Sequence, residues 1–110
     1  MEITEQKQEG IHIFRLSGNL DSNTSPDFEK KILEAIQDGS TRLVVDFEHV
    51  DYISSAGLRV LNLASKKLKR SQGKIVLCSV ADYIKEVFEI AGFYLFLPIV
   101  GNIEDALKTV

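Results

Sequence analysis

The chain has 110 residues, 45% of them hydrophobic and 26% charged, with a formal net charge of -3. That length bounds one domain, residues 1–110, with a single sizeable core. The composition excludes a disordered chain and lacks the basic excess that bulk nucleic-acid binding requires.

No apolar run approaches the roughly 18 residues of a membrane span. No arginine-rich or apolar leader precedes the first expected strand, and Cys78, the single cysteine, has no intramolecular disulfide partner. The expected setting is therefore the reducing cytoplasm, with no nucleic acid and no membrane as direct partner.

Residues 3–17 read as two strands joined at Glu9 and Gly10, because "IHIFRL" is short, β-rich and flanked by turn residues. A loop, "SGNLDSNTSPDF", follows. Ser25 is expected as a helix N-cap with Pro26 at the first helical position. Phe28, Ile32 and Ile36 recur at helical spacing, with Glu29, Lys30 and Glu34 on the wet face, and Gly39 ends the helix.

"RLVVDF" then has the length and apolarity of a strand inside a sheet. A second helix is expected from about residue 54 to 72, with Leu58, Leu61, Ala64 and Leu68 inward and Arg59, Asn62, Lys66 and Lys69 outward. Gly73 is its stop. "KIVLCSV" is another buried strand. Ile84, Val87, Phe88 and Ala91 mark a third helix stopped by Gly92, and "LFLPIV" is a last strand that Pro98 assigns to a sheet edge. A short helix from about residue 103 completes the order β-β-α-β-α-β-α-β-α. That alternation predicts an α/β fold: a mostly parallel sheet with an N-terminal antiparallel hairpin and about four helices.

The stretch "YISSAGLRVL" carries the most chemistry. The strand before it and the helix after it put Ser54 and Ser55 at the carboxyl end of the sheet, the rim where open α/β sheets engage ligands. Ser54 is a natural N-cap. Ser55 projects from the first helical turn, where unpaired amides and the helix dipole favour a negative group, so it is a good place for a phosphate. Gly57, unfavourable within a helix, has two readings: it allows close approach of a foreign backbone, or it packs tightly against the neighbouring strand.

"DYISSAGLRVL", with "LSGNLDSNTSP" upstream and "LVVDFEHV" between them, resembles the STAS domain of bacterial anti-sigma factor antagonists, over essentially the whole chain. The resemblance implies a regulator, not an enzyme, that binds an anti-sigma factor with serine kinase activity and frees a sigma factor. In that family the serine opening the central helix is the phospho-acceptor. Alignment through Gly57 and Leu58 places it at Ser55. Phosphorylation there releases the antagonist, and a PP2C-type phosphatase restores it. Asp21 matches the aspartate of the family's Gly-x-Leu-Asp loop, beside the phosphoserine site. Well-studied branches carry aspartate immediately before the acceptor; here Ser54 stands there, which leaves both hydroxyls as candidate acceptors. The expected partner rim comprises Asp21, Ser22, Asn23, Thr24, Ser54, Ala56, Gly57 and Arg59, and no cofactor is implied.

Other features carry less. His12 and His49 lack companions at metal-ligand spacing, and Asp21, Asp46 and Asp51 lack the tight spacing of a metal loop, so no metal is expected. Cys78 reads as a buried inert thiol, "KKLKR" as a solvated helix end, and "FYLFL" as core. A serine hydrolase reading fails for want of Gly-x-Ser-x-Gly and a placed histidine base. A nonphosphorylated scaffold or nucleotide-sensing STAS module is the alternative, although no glycine-rich phosphate cradle is present.

Overall fold

The computed structural model describes residues 1–92 and 97–110. β1 (Glu2–Gln8) pairs antiparallel with β2 (Ile11–Leu20) through a two-residue turn. Glu9 and Gly10 both adopt positive φ, 50° and 80°, the backbone twist that suits a two-residue hairpin. Then come α1 (Ser25–Gln37), β3 (Arg42–Ile53), α2 (Ser55–Arg70), β4 (Lys74–Cys78), α3 (Asp82–Ala91), β5 (Ile99–Val100) and α4 (Ile103–Thr109). The sheet order is β1-β2-β3-β4-β5, and every pairing after the first hairpin is parallel.

The main core lies between one sheet face and α1, α2 and α3, filled by Phe14, Phe28, Leu43, Phe47, Leu61, Leu77 and Phe88. Phe14 and Phe28 meet edge to face, with centroids 5.8 Å apart. On the opposite face, Ala106 of α4 packs with Ile11, Ile13, Val44, Val76 and Cys78.

The strands nearest the serine motif are longer than expected. β2 continues past Ser17 to Leu20, and β3 continues through "EHVDYI" to Ile53, with Gly18 opposite Val50 and Leu20 opposite Ile53. Register shifts between Arg15 and Ser17 and between Gly18 and Asn19 interrupt the two-residue alternation. Val50 and Ile53 are buried while Asp51 and Tyr52 face water, a spacing that hides the strand in the sequence.

Several local expectations are corrected. Thr24, not Ser25, is the cap residue of α1; Ser25 is the first helical residue and Pro26 the second, where its missing amide hydrogen still does no harm. α2 ends at Arg70, and Gln72 takes the left-handed conformation (φ 58°) that Gly73 was expected to supply. Gly73 is required for closeness: a Cβ there would lie 2.7 Å from the Thr41 carbonyl oxygen. Ile36 and Asn62 are half-buried, and Ala91 is exposed. β5 has only two residues at the sheet edge, with Pro98 just outside and its carbonyl accepting the Leu77 amide at 2.9 Å. Of "FYLFL", only Leu97 falls within the described residues, and it is buried.

Candidate functional site

Pairing of Leu20 with Ile53 brings the ends of β2 and β3 together. The Ser54 amide donates to the Leu20 carbonyl at 2.9 Å, which seats the start of α2 against the loop that begins at Asp21. The two conspicuous parts of the sequence, the aspartate loop and the serine motif, thus share one rim.

The two serines differ in state. Ser54 is extended and half-buried; its Oγ accepts the Gly57 amide at 3.4 Å, a long capping bond. Ser55 is exposed, and no hydrogen bond joins its hydroxyl to another described residue. One hydroxyl holds the helix end and the other is open to solvent.

Gly57 does not lie on the outward rim. It is buried, and a Cβ there would stand 2.8 Å from Leu20 Cγ and 2.9 Å from Ile53 Cγ1. The tight-packing reading holds: glycine lets α2 settle directly on the ends of β2 and β3, fixing the height at which Ser55 emerges.

The aspartate loop is self-organised. Asp21 Oδ1 accepts the backbone amides of Asn23 at 2.9 Å and Thr24 at 3.1 Å. Thr24 Oγ1 accepts the Asp21 amide at 2.9 Å and donates to the Asn19 carbonyl at 2.7 Å. Those bonds occupy the Thr24 hydroxyl, so it does not cap α1. The Asn23 and Thr24 amides hold the Asp21 carboxyl below its ordinary value. Ser22 and Asn23 are exposed at the loop's crest, and Asp21 and Thr24 are half-buried beneath them.

A groove of about 160 Å³ runs between the starts of the two helices. Ser22, Ser25, Pro26 and Glu29 form one wall, and Ala56, Arg59 and Val60 the other, so Ser22, Ala56 and Arg59 of the expected rim face a common space. Glu29 was not anticipated there. Outside that groove, Tyr52 and Tyr83 are exposed aromatic residues that were not anticipated either, with the Tyr83 hydroxyl donating to the Asp51 carbonyl at 2.8 Å. The alternation broken at the end of β3 hid Tyr52, and Tyr83 stood outside the four positions that defined the third helix.

The remaining polar groups lie elsewhere. Asp46 is buried, 3.5 Å from Arg15 Nε, and its Oδ1 accepts the Glu48 amide, so it does not join Asp21 and Asp51. His12 stacks on Phe14 at 4.5 Å between Glu5 and Ser40, and His49 is exposed. Among the described residues no three His, Cys, Asp or Glu side chains are grouped to hold a metal, and no helix is long and apolar enough to cross a membrane. Burial, reinforced by the Asp46 charge, pushes the Cys78 thiol up to about 12.

The family model for the STAS domain matches residues 2–106. BtrV of Bordetella bronchiseptica, named as a candidate anti-sigma factor antagonist, is 39% identical over 106 residues, which cover 96% of this chain and 91% of that protein. Among solved structures, a candidate anti-sigma factor antagonist from Thermotoga maritima superposes with a TM-score of 0.94 at 18% identity, over 98% of this chain and 93% of that one. The phosphorylated form of the Bacillus cell fate determinant SpoIIAA gives 0.78 at 21% identity, over 97% of each chain. At those identities the two structures share the fold.

Proposed function

From the premise that this chain belongs to the STAS domain family, we propose that it is an anti-sigma factor antagonist whose binding is switched off by phosphorylation of Ser55. It docks on an anti-sigma factor with serine kinase activity through the rim around Asp21, Ser22, Asn23, Ser55 and Arg59, and so frees a sigma factor in the cytoplasm. The chain acts by binding and performs no catalysis of its own.

The observation that carries this reading is the division of labour between the serines: Ser54 is engaged as a cap while Ser55 is exposed with its hydroxyl unbonded. The kinase transfers the γ-phosphoryl group of ATP to Ser55 Oγ; the hydroxyl loses its proton and ADP leaves. The product adds about -1.5 to -2 charges at a helix start that tolerates them. The fold persists, while a partner packed on the rim meets a bulky anion. A PP2C-type phosphatase hydrolyses the ester and restores the docking surface.

Incubation with the cognate anti-sigma kinase and ATP tests the assignment. Mass spectrometry is expected to locate one phosphate on Ser55, and Ser55→Ala is expected to abolish labelling while keeping the complex. A phosphate on Ser54, or labelling undiminished in Ser55→Ala, contradicts it.

A further inference from the structure

We propose that Arg59 is the intramolecular receptor for the phosphate on Ser55, an inference that rests on the reading of Ser55 as the phospho-acceptor. The two residues are four apart on α2, and both are exposed. Residues so spaced are surface neighbours on a helix, and long helical side chains lean toward the N-terminus, over the turn before their own Cα. Arg59 is therefore directed at the turn that carries Ser55. An anion placed N-terminal to the cation is also the more favourable order for such a pair.

The guanidinium is free to respond. No hydrogen bond or ion pair joins the Arg59 side chain to another described residue. α2 contains no aspartate or glutamate, so no carboxylate of its own helix competes. Glu29 lines the opposite wall of the groove but is not within ion-pair distance of Arg59. A phosphate dianion presents three acceptor oxygens and can take two parallel bonds from one guanidinium, an advantage over a single distant carboxylate.

The pair gives phosphorylation two effects on the docking surface. It adds an anion at Ser55, and it turns the unpaired cation of Arg59 away from the groove and from any acidic group a partner presents there. The partner loses an attraction as it meets a repulsion.

The test uses the full chain with phosphoserine installed at position 55 during translation, so that no kinase is needed. The second ionisation of the phosphate is followed by phosphorus NMR against pH in the parent, Arg59→Gln, Arg59→Lys and Arg70→Gln proteins, with amide spectra to verify folding. In the parent, the phosphate is expected to ionise about 0.5 pH unit lower than in Arg59→Gln. Arg59→Lys should retain part of that difference, Arg70→Gln all of it, and 1 M salt should shrink it. Identical titrations for parent and Arg59→Gln, or an equal rise in Arg70→Gln, overturn the assignment. Failure of Ser55 to be labelled by a kinase would instead count against the phospho-acceptor reading and leave this titration intact.

Discussion

Gly57 shows how a single residue sets the position of the site. Helix propensity alone favours Gly57→Ala, yet the added methyl would meet Leu20 and Ile53 within 3 Å. The substitution is expected to destabilise the protein by roughly 1–3 kcal/mol in urea unfolding and to weaken partner binding by displacing the start of α2. Asp21 carries a pH dependence. Its carboxyl is lowered from 3.8 by the Asn23 and Thr24 amides, so its contribution to loop order is whole above 3.8 and disappears as the pH falls through the lowered folded value. The two amide resonances should lose their bonded shifts across that acid window, and Asp21→Asn should remove the transition. Cys78 should resist thiol reagents at pH 8 until the protein is unfolded, since burial holds its thiol protonated to about pH 12. The exposed state of Ser55 and the burial of Cys78 were legible in local sequence. Which of its two readings Gly57 obeys was not, because Leu20, the side chain that decides it, lies far away in the chain.

At the scale of the element, the motif works because one serine closes the helix and the next remains free. Ser54→Ala removes the capping hydroxyl and should cost about 0.5–1 kcal/mol, the low end for caps given the 3.4 Å bond, without preventing phosphorylation. Ser55→Ala should stay within about 0.5 kcal/mol of the parent, as expected of an exposed, unbonded side chain. Parallel urea titrations separate the two. The helices were legible from periodicity and the hairpin from Glu9-Gly10. The second half of β3 was not, since a register shift replaces the two-residue alternation by a wider spacing, with Val50 and Ile53 buried and polar residues between them, and that of β2 was not, since Ser17, Gly18 and Asn19 have the composition of a loop. The start of α1 was missed by one residue for a related reason: Thr24 is bonded to Asn19 and Asp21, a tertiary arrangement that cap preferences do not encode.

Across the whole molecule, the sheet separates the packed core from the proposed docking rim. Three helices on one face and α4 on the other bury the core, and the ends of β2 and β3 lift the aspartate loop and the serine turn to the same rim. In the proposed switch, a phosphate on Ser55 would alter that surface and leave the apolar layers beneath it intact. The order of strands and helices foretold this architecture, because alternating elements with short connections leave few alternatives to a parallel sheet. The groove between α1 and α2 was beyond reach, since it depends on the packing of two helices that are separated by β3. The most direct measurement is a calorimetric titration of the anti-sigma kinase with the unmodified chain and with the chain carrying phosphoserine at position 55. Phosphoserine at position 55 is expected to lower the affinity at least tenfold, about 1.4 kcal/mol, with an unchanged fold in both samples. Equal affinity of the two forms would contradict the proposed switch.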